Sequence, residues 1–174
     1  MKLYDGGRLN LSDKLSDYFP ELETTDKKNI TVQDVLFHES GMSAGLYVYG
    51  EIIDSNSYKG GLFKNRKDAS HTLQMGARSW ANPNYQFEKG LVSSVKTDKH
   101  TIQVADNLWF DSVISHRLME AIIEKPLLSK KYRYSCLGFI LLQKVVENIS
   151  GQPLDEYLSE NFYEPMGLQL YYNP

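Results

Sequence analysis

A single cysteine, Cys136, in 174 residues leaves no partner for an internal disulfide and says nothing of the redox compartment. No apolar run approaches the roughly 18–20 residues that a bilayer span requires. The best candidate, CLGFILLQKVV, is broken by Gln143 and Lys144. The opening MKLYDGGRLN lacks the apolar core of a secretory signal. With a net charge of -3 and a pI near 5.8 there is no broad positive field, which argues against a nucleic-acid partner. The four histidines, His38, His71, His100 and His116, show neither His-x-His nor His-Glu-x-x-His spacing, so no metal site is expected. Neither Gly-Gly pair sits in a phosphate-binding loop, and no nucleotide cofactor is implied.

What is present is ordinary for a soluble globular domain: 41% hydrophobic and 24% charged residues in a chain about one domain long. We expect no internal repeat and no low-complexity linker. MKLYD reads as the last turns of a helix that Gly6-Gly7 closes. Ser12 is placed to cap a short helix burying Leu15, Tyr18 and Phe19 before Pro20. Thr31 and Asp34 resemble a capping box opening TVQDVLFHE, with Gly41 as its end. His38 then suits the negative end of that helix. From about Met42 to Phe110 helical periodicity fades and tyrosines and glycines become frequent. We expect irregular structure with a few short strands there, HTIQVADNLWF being the most strand-like, and packing roles for the tyrosines of GLYVYG.

Helical pattern returns after Asp111 or Ser112, either of which can cap SVISHRLMEAIIEK, with Ile114, Leu118 and Ile122 on one face. The next helix, about Ser135 to Ser150, is expected to bury Phe139, Leu142, Val146 and Ile149 and to end at Gly151. Pro153 suits the first turn of a last helix, with Asp155 and Glu156 near its positive end. Leu154, Tyr157, Leu158 and Phe162 supply its buried face. The fold class is α+β and helix-rich.

The stretch YRYSCLGFILL places Tyr134, Ser135 and Cys136 just ahead of an apolar helix. Taken locally, Tyr134 is an aromatic packing where the helix begins, Ser135 is its cap and Cys136 is a small buried hydrophobe. A papain-like cysteine would need a paired histidine, and no sequence feature places one nearby.

Three segments in order, LYDGGRLNLSDKLSDYFPEL, ITVQDVLFHESGMSAGL and YRYSCLGFILLQKVVENISGQPLDEYLSENFYEPMGL, resemble the serine β-lactamase and penicillin-binding-protein superfamily. The branch is that of class C β-lactamases, D-alanyl-D-alanine carboxypeptidases and related esterases. The resemblance implies the helical part of a β-lactamase fold, a small-molecule or cell-wall peptide substrate, no cofactor, and a periplasmic or extracellular setting. It aligns Tyr134 with the tyrosine of the family's Tyr-x-Asn motif, a candidate general base, and puts Cys136 at the substrate-binding Asn position. A thiol is a weak donor and acceptor where an amide offers two donors and a carbonyl.

The family's nucleophile motif, Ser-x-x-Lys, sets serine and lysine one helical turn apart. The only such string here is Ser93-Ser94-Val95-Lys96, in a region without helical periodicity, and it reads as an accidental match. No Lys-Thr-Gly string occurs; Lys96-Thr97-Asp98 fails at the glycine. Residues 1–174 are therefore expected to be a single partial domain, truncated at both ends relative to the family and inactive alone. A non-catalytic binding module on the same scaffold is the alternative. Self-association through the face left by a missing sheet is a further expectation.

Overall fold

The structure, a computed structural model, describes residues 1–170. The chain divides into two compact units: Met1–Leu46 together with the chain from Glu120 onward, and Tyr47–Met119.

The first unit is helical. Helix α1 (Lys2–Asp5) stops at Gly6, followed by Gly7 at φ 67°, as the glycine pair requires. Helix α2 (Leu15–Tyr18) buries Leu15, and Phe19 just beyond it is also buried. Its start differs from expectation: Lys14 holds the cap position, and Asp17 accepts the Lys14 N–H at 2.8 Å. Tyr18 is half-buried, its hydroxyl donating to Asp13 at 2.9 Å. Burial, then Asp13, push that phenol up to about 12. Helix α3 (Val32–Leu36) opens on the expected capping box: the Asp34 N–H donates to Thr31 Oγ1 at 3.1 Å, and Asp34 Oδ2 accepts the Thr31 N–H at 3.0 Å. The helix ends at Leu36, not Gly41.

Helix α6 (Cys136–Ser150) closes on Gly151 in the left-handed conformation, φ 77°. Its buried face is Leu137, Gly138, Leu141 and Val145. Leu142, Val146 and Ile149 flank that face half-buried, and Phe139 is exposed. The expected face is thus turned by about one residue, roughly 100°. Close packing on α3 sets the angle: a Cβ at Gly138 would lie 2.6 Å from Val35 Cγ1 and 3.2 Å from Met42 Cε. Each of Leu137, Leu141 and Val145 contributes about 1.5–3 kcal/mol by leaving water. Helix α7 (Leu154–Leu158) buries Tyr157, with Leu154, Leu158 and Phe162 half-buried.

The second unit holds α4 (Tyr49–Ile52), the start of α5 (Val113–Glu124) and two three-stranded antiparallel sheets. Strands β1 (Phe63–Lys64), β2 (Leu73–Gly76) and β3 (Ser79–Ala81) form the first, in the order β1-β3-β2. Strands β4 (Val92–Ser93), β5 (His100–Ala105) and β6 (Leu108–Asp111) form the second, in the order β4-β6-β5. Ile52, Ile53, Leu62, Leu91, Phe110 and Ile114 make the core. The strand-like HTIQVADNLWF is the β5–β6 hairpin, with Asn107 at φ 55° in its turn. Asp111 caps α5, accepting the Val113 N–H at 3.0 Å.

The two sheets correct the expectation of no repeat. Residues 61–82 map onto 90–111 without a gap, each position shifted by 29, and agree at seven of 22 positions. The bonding repeats with them. His71 Nε2 donates to the Gly61 carbonyl at 2.7 Å, and His100 Nε2 to the Gly90 carbonyl at 3.0 Å. His71 Nδ1 lies 2.9 Å from Asp68 Oδ1, and His100 Nδ1 lies 3.0 Å from Thr97 Oγ1. The Asn82 and Asp111 N–H groups donate to the Leu62 and Leu91 carbonyls, both at 2.9 Å. Lys67 and Lys96 sit over the Trp80 and Trp109 rings at 5.6 and 5.7 Å. The middle of the chain is a tandem duplication.

Candidate active site

Tyr134 stands at the mouth of α6 and is 61% exposed. The residues around it are fixed by the loop that follows α3. The Arg133 N–H donates to the His38 carbonyl at 2.8 Å, and the Ser135 N–H to His38 Nδ1 at 3.3 Å. Ser135, 2% exposed, donates its hydroxyl to the Ser43 carbonyl at 2.7 Å, and the Cys136 N–H donates to the Ala44 carbonyl at 3.0 Å. Ser135 therefore holds the N-cap position without capping; its hydroxyl ties α6 to the loop.

Two left-handed residues shape that loop. Gly41, φ 78°, accepts the Leu128 N–H on its carbonyl at 2.8 Å, and a Cβ there would lie 2.6 Å from Leu128 O. His38, φ 57°, is a non-glycine in the same region, a conformation that costs strain unless the surroundings hold it. They do so through its ring, whose centroid lies 4.8 Å from Tyr134, 5.1 Å from Phe139 and 6.0 Å from Tyr132. His38 thus follows the last turn of α3, at the helix end where the sequence placed it, and its ring is in addition a docking surface for the Tyr134 segment. The only signal for it was the Gly41 that follows.

Cys136 is exposed, not buried as expected, and its Sγ lies 3.5 Å from the Tyr134 hydroxyl. The thiol, by hydrogen bonding first and by charge second, pushes the Tyr134 phenol above its usual range. Phe37, Tyr132, Phe139 and Ile140 are exposed apolar residues of the same unit. Ser93 and Lys96 are not a helical pair: Ser93 ends β4 with its Oγ accepting the Val95 N–H at 3.2 Å, and Lys96 lies on Trp109. Tyr47 and Tyr49 remain largely exposed while making ring contacts with each other and, for Tyr49, with Phe63.

Tyr134 thus stands at the start of α6, beside a Gly-containing loop bonded to the backbone on either side of it. Residues 1–172 match the beta-lactamase family. The chain belongs to that family. It is 44% identical over 173 residues to a putative D-alanyl-D-alanine carboxypeptidase of Escherichia coli (strain K12), covering 96% of this chain and 28% of that protein. It is 24% identical over 183 residues to the N-acetylmuramyl-L-alanine amidase of Bacillus subtilis (strain 168), covering 99% of this chain and 30% of that one. The chain thus spans less than a third of the length of these relatives.

Solved structures agree on the fold. The octameric penicillin-binding protein homologue from Pyrococcus abyssi aligns with a TM-score of 0.50 at 18% identity, over 96% of this chain and 28% of that one. EstCE1, a hydrolase with promiscuous acyltransferase activity, aligns with a TM-score of 0.50 at 15% identity, over 96% and 34%. The α+β, helix-rich class expected from sequence is the one observed. Among the described residues no helix is long and apolar enough to cross a membrane.

Proposed function

We propose that this chain is one wall of an acyl-transfer site in a beta-lactamase-like serine hydrolase, with Tyr134 as its proton-transfer group. The observation that carries the reading is the clamp: the bonds at Arg133, Ser135 and Cys136 fix the backbone on both sides of Tyr134 and leave its phenol in solvent. Such positioning is what general-base catalysis demands. On this reading the chain is an internal part of a longer hydrolase, and the nucleophilic serine and its lysine come from residues preceding it. The serine oxygen attacks the carbonyl of a peptidoglycan-type amide, a β-lactam or a small ester. Tyr134 takes the serine proton and returns it to the leaving group. A free phenol is only about 0.1% ionised at pH 7, so the lysine ammonium must stabilise the phenolate.

Cys136 works against this, because its thiol raises the Tyr134 pKa. That, with the lost amide, favours a second reading in which the scaffold binds a cell-wall ligand without turning it over.

Intact-mass measurements after incubation with a fluorophosphonate or a penicillin separate the two. The 174-residue chain stays unmodified, and a chain extended upstream through a Ser-x-x-Lys motif gains one adduct. Tyr134→Phe in the extended chain slows acylation about 10²–10⁴-fold. An unchanged rate would sink the role of Tyr134, and labelling of Ser93 in the short chain would sink the upstream nucleophile. Cys136→Asn removes the thiol, so the Tyr134 titration, followed by ultraviolet absorbance, moves to lower pH. An upward or absent shift would remove the thiol as its cause.

A further inference from the structure

The duplicated sheets keep the wrong residues for a purely structural repeat. Positions that pack on the core in at least one copy have drifted: Phe63 against Val92, Ala81 against Phe110, and the exposed Leu73 and Met75 against Ile102 and Val104, which pack on it. Among the seven identities, three have structural work. Gly61 and Gly90 receive the histidine bonds, His71 and His100 make them, and Leu62 and Leu91 are both 3% exposed in the core. The other four pairs, Lys67 and Lys96, Thr72 and Thr101, Gln74 and Gln103, Trp80 and Trp109, are exposed or, for the tryptophans, half-buried. Surface positions are the ones packing leaves free to change. Their identity in two copies whose cores differ needs another cause.

These residues also share a place. Gln74 is the cross-strand partner of Trp80, and Gln103 that of Trp109, so amide and indole lie side by side on one sheet face. Lys67 and Lys96 lie over the indoles. Thr72 and Thr101 are exposed two residues ahead of the glutamines. Each copy therefore offers a flat apolar ring, an amide with paired donor and acceptor capacity, a hydroxyl and an ammonium.

We infer that the two sheets carry equivalent binding platforms for glycans whose pyranose rings bear carboxylates. The apolar face of a pyranose stacks on the indole, the Gln amide and Thr hydroxyl bond its hydroxyls, and the Lys ammonium pairs with its carboxylate. An exposed cation–π contact is weak enough for the lysine to exchange the ring for the ligand's charge. Charge supports the acidic class: residues 61–82 hold Lys64, Arg66, Lys67 and Arg78 against Asp68 alone, in a chain of net charge -3. Residues 90–111 hold Lys96 and Lys99 against Asp98, Asp106 and Asp111, so the first platform binds such a ligand more tightly than the second. The inference does not depend on the acyl-transfer reading.

Trp80 and Trp109 are the only tryptophans of the chain, so Trp109→Phe and Trp80→Phe each leave one platform with its own fluorescent reporter. Titration with an oligogalacturonate gives saturable fluorescence changes in both variants, tighter in Trp109→Phe, where Trp80 reports. A chito-oligosaccharide of equal length binds about tenfold more weakly or worse. Lys67→Ala and Lys96→Ala, exposed substitutions that leave the far-ultraviolet circular dichroism unchanged, each weaken the acidic oligomer about tenfold at their own platform. No saturable change by about 10 mM of either sugar overturns the proposal. So does neutral binding as tight as acidic, or acidic binding that the lysine variants do not move.

Discussion

Residues 61–82 and 90–111 reach the same three-stranded sheet by different interiors. Both are closed by a histidine that bridges a glycine carbonyl and the side chain three residues before it. The bridge partner is a carboxylate in one copy, Asp68, and a hydroxyl in the other, Thr97. The larger difference is Ala81 against Phe110. Phe110 is a core residue in ring contact with Phe87 at 5.8 Å. Around Ala81 a cavity of about 50 Å³ remains, lined by Phe63, Met75 and Tyr85 among others. The comparison teaches that the histidine bridge and the strand register hold the module, while apolar volume can move from one copy to the other.

The strongest way to break the comparison is Phe110→Ala, which gives the second copy the interior of the first. It should cost about 3–5 kcal/mol, because the cavity it leaves lies in the shared core. Urea unfolding of the chain reads this, and a loss below about 1 kcal/mol would mean the aromatic is not needed. The reverse change is smaller. Ala81→Val should fill part of the first copy's cavity and raise stability by about 0.5–1 kcal/mol. A loss would show the space already closed by its neighbours.

The smallest effect is electrostatic. Lys64 first, then His71, hold the Asp68 carboxyl well below the usual carboxylate range. A depressed folded pKa contributes stability that is present above the unfolded value near 3.9 and is lost as pH falls through the folded one. Asp68→Thr, which copies the second sheet, should flatten the stability profile below about pH 4, by little because the pair is solvent-screened. An unchanged acid slope would remove Asp68 as its source.

The sequence carried the ends of elements better than their faces. The Thr31–Asp34 box, the Asp111 cap and the Gly151 terminus are local chemistry and were legible. The face of α6 was not, because Phe139 is held outward against the His38 ring while Val35 and Met42 close on Gly138. The family was readable from three ordered segments. The exposure of Cys136 and the docking role of His38 were hidden, since both depend on a loop about 97 residues away in sequence. The duplication escaped because only seven of its 22 positions are identical and most of those are polar or glycine, which hydrophobic periodicity discards.

The equal spacing of the two copies bears on how this region varies over time. Because every position has its equivalent 29 residues on, with no insertion between them, unequal crossing-over within the gene would remove or add one whole module in frame. The joined sequence would still pair each histidine with its own glycine. Homologous genes should therefore differ in length here by steps of one module, and recombination can reset the number of platforms without redesigning any of them.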